Sequence, residues 1–291
     1  MSSVTQRIRK IKQPKGGYVK PSSFQIEKLD DGKILSQQEN IHGSIIGTVV
    51  DSLTRFILCQ NIVKAFEISL QGVKIASKMG DPTALETAYI LLTNIKGNDE
   101  TSIVCACKLA TFDVWFRNTF AALTAKGADS INPDPPTIRN IQIMVQRSVS
   151  FFEKYGPVVA VGFTFEKAGY TRTVDSGDGD FLTEDTLWDF KVLKSRLTSK
   201  HTLQLLMYWI MGQHSGKEIF KGISNIGIFN PRFNMVYTLN VLKIDKRIIR
   251  EVEENIICYP TTFPELKLNS LLATQNILFR KREKKLWNGQ D

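Results

Sequence analysis

At 291 residues, with 42% hydrophobic and 23% charged side chains, the chain is long enough to bury a core without staples and too apolar to stay disordered. A formal net charge of +9 favours acidic partners, nucleic acid first among them. No run of about 18 apolar residues occurs, and Met1 to Lys20 lacks a secretion-type apolar stretch, so a cytoplasmic protein with no membrane partner is expected.

Residues 1–25 carry Arg7, Arg9, Lys10, Lys12, Lys15 and Lys20 among Gly, Pro and Ser, the composition of a flexible basic arm. Helical apolar spacing follows through Ile45–Leu58, Ile62–Ser77, Pro82–Ile95, Thr101–Leu123 and Thr137–Lys154, with Pro82 at a helix start. Residues 26–155 are therefore read as a helical region that contributes the first core helix. Cys59, Cys105, Cys107 and Cys258 include no CxxC pair and no zinc spacing with His42, His201 or His214, so neither structural zinc nor an iron–sulfur cluster is expected.

The pattern changes at Gly156-Pro157. Val158–Phe165 is short, β-branched and aromatic, and Lys167-Ala168-Gly169 turns the chain into Tyr170–Val174. Strands are expected at Gly179–Thr183 and Thr186–Val192, a helix at Thr202–Gly212, strands at Gly222–Phe229 and Val236–Leu242, and a helix at Lys246–Ile257 capped by Asp245. Residues 156–260 thus read as an α/β core with a mixed central sheet. Residues 261–291 read as a basic C-terminal extension.

Chemistry concentrates between Gly177 and Lys191. A symmetric hairpin about Glu184-Asp185 sets Thr183 against Thr186, Leu182 against Leu187, Phe181 against Trp188 and Asp180 against Asp189. Lys191, two residues past Asp189, shares its face. Like charges directly opposed on paired strands destabilise them, a conflict that a divalent cation would remove. Acid-x-Lys spacing by itself is uninformative, because Asp31-Gly32-Lys33, Glu265-Leu266-Lys267 and Glu283-Lys284-Lys285 share it. Only Asp189 stands in an expected buried strand behind a second strand acid.

This arrangement resembles the PD-(D/E)XK (restriction-endonuclease-like) nucleases, which place one acid on a strand and acid-x-Lys on the next. Gln204 and Tyr208 on the following helix resemble the Gln-xxx-Tyr element of the RecB-like branch. Gly47 to Asp51 resembles its Gly-xxx-acid element, although Glu67, Asp113 and Glu153 also stand on expected helices. The resemblance implies Mg²⁺ or Mn²⁺ held by Asp51, Asp180, Asp189 and the Phe190 carbonyl, with Lys191 acting on the attacking water and Gln204 and Tyr208 supporting the site. It further implies phosphodiester hydrolysis, DNA favoured, in bacterial or phage defence, repair or recombination, with a helicase or complex subunit as a separate chain.

Lys194, Arg196 and Lys200 are candidate phosphate contacts beyond the motif strand, and Arg232 in the Asn230–Asn234 turn is another. Two rivals stay open: a catalytically silent nucleic-acid-binding or assembly module on the same fold, and an interaction protein whose motif is accidental. The second requires Asp180 and Asp189 to stand far apart or on opposite faces.

Overall fold

A computed structural model of the chain describes residues 2–166 and 168–260. The expected basic extension at 261–291, and Lys167 of the expected turn, lie outside the described residues. Six strands form one mixed sheet: β1 (Gln25–Lys28), β2 (Val158–Thr164), β3 (Asp178–Thr183), β4 (Thr186–Phe190), β5 (Asn225–Asn230) and β6 (Met235–Asn240), in the order β1-β6-β5-β4-β3-β2. β2, β3 and β4 form an antiparallel meander, and β5 then pairs parallel to β4. A parallel neighbour needs a crossover. The chain supplies it as a long helix, Ser199–Ser215, between β4 and β5.

Each sheet face has its own core. Period-2 alternation sends Leu182, Leu187, Ile226, Ile228 and Leu239 into one cluster with Leu203, Met207 and Trp209 of that crossover helix. The other face presents Phe181, Trp188, Phe190, Phe229 and Val236 to Phe151 and Phe152. Those two phenylalanines stand on a helix over Pro135–Tyr155, capped by Asp134, whose side chain accepts the Thr137 N–H. Pro135 and Pro136 open this helix, because proline at the first positions loses no hydrogen bond. The Trp188 indole N–H donates to Thr183 Oγ1 at 3.0 Å, so the largest ring of the meander is buried with its polar atom satisfied.

Two glycines allow this packing. A Cβ on Gly227 of β5 would lie 2.3 Å from the Trp188 ring, and one on Gly179 of β3 would lie 2.1 Å from the Phe163 ring. Gly227 therefore carries the indole flat against the sheet, and Gly179 does the same for Phe163 beside the motif.

The helical stretch from Ile41 to Val145 forms a third cluster, and the helix at Val4–Lys10 packs elsewhere, on the crossover helix. In chain order the helices are α1 (Val4–Lys10), α2 (Gly43–Cys59), α3 (Ile62–Ala65), α4 (Glu67–Lys78), α5 (Ala84–Thr93), α6 (Glu100–Leu109), α7 (Asp113–Arg117), α8 (Thr119–Ala122) and α9, the Pro135–Tyr155 helix; α10 is Ser199–Ser215 and α11 is Lys246–Glu251. Ile46, Val49, Val50 and Leu53 of α2 pack with Ile138, Ile141, Met144 and Val145 of α9, so α9 links the helical layer to the sheet.

Several expectations are corrected. The basic arm at 1–25 is built into the core: Val4 and Ile8 are buried in the α10 cluster, and Arg7 Nε donates to the Ile256 carbonyl at 2.8 Å. Its other charges, Arg9, Lys10, Lys12, Lys15 and Lys20, are exposed around one buried apolar face, a pattern that whole-segment composition averages away. The boundary at residue 26 also falls inside β1, which pairs with β6 along the sheet edge. Past the expected turn, the Thr171 hydroxyl accepts from the Thr173 and Val174 N–H groups and closes a further turn within Tyr170–Val174. Thr101–Leu123 is broken by a 3-10 turn at Ala110–Phe112, whose Phe112 carbonyl sits where a Cβ on Gly72 would be. Ile62–Ser77 is split at Phe66, and Pro82 lies in the turn ahead of α5 rather than in its first turn.

Candidate active site

The hairpin places Asp180 and Asp189. Phe181 pairs with Trp188 and Leu182 with Leu187, the register expected from a turn at Glu184-Asp185. Beyond those pairs the contact becomes side chain to backbone: Asp180 Oδ2 accepts the Phe190 N–H at 2.8 Å. Asp189 is 2% exposed, and Lys191 Nζ donates to its Oδ1 at 3.0 Å. Its Oδ2 is buried with no hydrogen-bond partner although the ammonium stands 3.0 Å away, so this buried acceptor is only partly satisfied.

α2 brings the third carboxylate and an unexpected cation. Arg55 Nε lies 2.9 Å from both oxygens of Asp51, one helical turn away, and its Nη2 donates to Asp180 Oδ1 at 3.2 Å. The guanidinium stands 5.2 Å from the centroid of the Phe181 ring. Two cations therefore thread three carboxylates, and exposed Asp178 adds a fourth negative charge at the rim.

Protonation follows from this crowding. Burial above all pushes the Asp189 carboxyl up to about 7, with Asp180 and Asp51 adding to the rise and Lys191 opposing it. Asp51 is pushed up to about 6, first by burial and then by Asp180 and Asp178 against the pull of Arg55. Burial alone would lower Lys191, but Asp189, Asp180 and Asp51 outweigh it and hold the ammonium charged.

α10 runs near enough to the site for the charge of Asp189 to act on its Tyr208. Gln204 Nε2 donates to Tyr208 Oη at 2.8 Å, joining two polar heads that i, i+4 spacing puts on one helical face. Burial, then the charge of Asp189, keeps the Tyr208 phenol protonated. His201, one turn before Gln204, is held neutral, its pKa lowered to about 4 by burial and by Lys191. Its Nδ1 accepts the Thr198 N–H at 3.1 Å.

The candidate residues therefore divide. Asp51, Asp180, Asp189, Lys191, the Phe190 backbone, Gln204 and Tyr208 come together. Asp113 does not join them, being engaged with Ser69 Oγ at 2.6 Å, and Glu153 lines a groove beside β2 with Leu58 and Val159. Lys194, Arg196 and Lys200 are all exposed, and Lys194 pairs with Glu39 at 3.0 Å. Arg232 is buried against Glu39 at 2.8 Å, which makes it a structural ion-pair partner rather than a phosphate contact. Sequence reasoning missed Arg55 and His201, although both carry a local signal: each stands one helical turn from a candidate site residue.

No protein-family model, curated protein or solved structure matches the chain. Any assignment of chemistry therefore rests on the site itself.

Among the described residues, no group of three or more His, Cys, Asp or Glu side chains is arranged to hold a metal ion. The hydrogen bonds explain why in part: both Asp51 oxygens and Asp180 Oδ1 are committed to Arg55, and Asp180 Oδ2 to a backbone N–H. The donor set nonetheless suits a hard cation in kind, being carboxylate oxygen with one buried acceptor, Asp189 Oδ2, left without a hydrogen bond.

Proposed function

We propose that the protein is a metal-dependent nuclease of the PD-(D/E)XK type, RecB-like branch, hydrolysing phosphodiester bonds, most readily in DNA. One observation carries this reading. Two strand acids, a lysine two residues past the second, a helical acid from far earlier in the chain and a Gln–Tyr pair surround one patch, with Asp189 buried there at 2% exposure.

Asp51, Asp180, Asp189 and the Phe190 carbonyl would hold the cation. Bound Mg²⁺ or Mn²⁺ supplies a more acidic water and neutralises charge on the phosphoryl oxygens. Lys191, kept charged by three carboxylates, orients the attacking water and stabilises negative charge in the transition state. Gln204 and Tyr208, hydrogen-bonded to each other, would support the site, and Arg196 and Lys200 supply exposed positive charge for the phosphate backbone. A helicase or complex subunit would be a separate chain.

The alternative, a catalytically silent nucleic-acid-binding or assembly module, draws support from Arg55, which already pairs with Asp51 and Asp180. Incubation of wild type, Asp189→Asn and Lys191→Ala with single-stranded DNA, duplex DNA and RNA separates the two. The nuclease reading expects cleavage in Mg²⁺ or Mn²⁺ that stops in excess chelator and is lost in both variants. Lys191→Ala should lower kcat more than substrate affinity. Salt-sensitive binding with no cleavage of any substrate would establish the silent module instead. Full turnover by Asp189→Asn would overturn the mechanism.

A further inference from the structure

Arg55 occupies a seat built from four sides. Asp51 meets it with both oxygens at 2.9 Å, Asp180 Oδ1 takes its Nη2 at 3.2 Å, and the Phe181 ring stands 5.2 Å away. The fourth side is Gly162 of β2, at φ +61°, where a Cβ would lie only 2.6 Å from Arg55 Nη1. The side chain is 15% exposed, so the contacts are shielded and stronger than those of a surface pair. A surface arginine finding any nearby acid would need neither a bare backbone on one side nor an aromatic face on another.

The seat also spans the two carboxylates that a divalent cation would need. Both Asp51 oxygens share the single Arg55 Nε–H, and Asp180 gives one oxygen to Arg55 Nη2 and the other to the Phe190 N–H, so the guanidinium draws on three of the four oxygens that a cation would recruit there. Asp189 Oδ2, buried and without a hydrogen bond, faces the Lys191 ammonium at 3.0 Å; together with Oδ1 it is left aside by Arg55 and the backbone. The geometry points to Arg55 as an internal counter-cation that competes with Mg²⁺ or Mn²⁺ for Asp51 and Asp180. It holds the three acids together until metal displaces it. This inference rests on the metal-site reading above and adds to it a named residue that sets metal affinity.

The test measures Mn²⁺ binding without nucleic acid, by calorimetry and by the electron paramagnetic resonance signal of free Mn²⁺. Arg55→Gln removes the competitor, and Gly162→Ala pushes the guanidinium from its seat while leaving every acid and the arginine in place. Two charge-assisted contacts released to the metal predict affinity higher by about tenfold or more in Arg55→Gln, with a smaller gain in Gly162→Ala. In the wild type, the ¹⁵N-labelled Arg55 Nε–Hε resonance should be exchange-protected in chelator and should shift or broaden on adding diamagnetic Mg²⁺, a readout that needs no variant to fold. Equal Mn²⁺ affinity in wild type and Gly162→Ala, together with an Nε–Hε signal indifferent to Mg²⁺, would overturn the competition while leaving a metal site standing. Failure of wild type and both variants to bind Mn²⁺ would overturn the metal site and this inference with it.

Discussion

Replacing Asp189 by Asn changes one buried charge and almost no volume, so its effect on the metal-free protein isolates the electrostatic cost of the site. Asp189 is 2% exposed, and burial, reinforced by Asp180 and Asp51 and opposed by Lys191, moves its carboxyl from the ordinary 3.8 to about 7. At ~1.4 kcal/mol per pH unit, that rise corresponds to something on the order of 4 kcal/mol. The sign follows from proton counting. The folded state keeps the Asp189 proton to higher pH than the unfolded chain, so this stability is fully present below the ordinary carboxylate value and is lost as pH rises through about 7. Asparagine cannot ionise and loses nothing over that window, but its amide costs ~1–3 kcal/mol where hydrogen-bond partners are missing. The variant should therefore be less stable than wild type by ~1–3 kcal/mol near pH 4.5 and more stable by a similar amount near pH 8. Urea unfolding in chelator at several pH values reads this directly, and melting temperatures should cross by several degrees in either direction, at ~2–4 °C per kcal/mol. A difference between variant and wild type that stays constant from acid to alkaline pH would refute the reasoning, because Asp189 would then be ionised in the fold at no cost.

Further outcomes follow from the same packing. Mg²⁺ or Mn²⁺ at alkaline pH should raise the melting temperature of wild type, by ~2.7 kcal/mol of stability at a hundredfold excess over Kd, and leave Asp189→Asn unmoved; an equal rise in both would place the metal elsewhere. Gly227→Ala drives a methyl group to within 2.3 Å of the Trp188 ring and should cost ~1–3 kcal/mol by thermal or denaturant unfolding, whereas undiminished stability would mean that the indole shifts freely. Ile8→Asp puts an unpaired carboxylate where Ile8 is 4% exposed and should destabilise by several kcal/mol or abolish soluble expression. Lys12→Ala with Lys15→Ala, both on the exposed side of the same segment, should change stability by no more than ~0.5 kcal/mol; if these lysines touch phosphate, the salt slope of nucleic-acid affinity should fall by about one per lysine. An unchanged slope would remove the N-terminal segment from the nucleic-acid surface.

What the sequence determined by itself is what short-range geometry controls. A two-residue turn and side-chain alternation fix the β3–β4 register, so Asp180, Asp189 and Lys191 are legible as one group from the order of residues alone. Helical spacing does the same for Gln204 and Tyr208, and for α2 and α9. The tertiary structure decided which distant groups join them. Asp51, Glu67, Asp113 and Glu153 are equivalent as helical carboxylates in sequence, and only the packing of α2 against α9 and the sheet end carries Asp51 and Arg55 to Asp180, 125 positions from Arg55. Segments that contribute through backbone or through one narrow face are equally hidden. All four residues of β1 are exposed, so it is held to β6 by main-chain pairing that any side chain permits, and α1 docks through Val4 and Ile8 beneath a basic surface. Periodicity reports what side chains bury locally; backbone hydrogen bonds and long-range ion pairs leave no such period, so only the folded chain shows where they close.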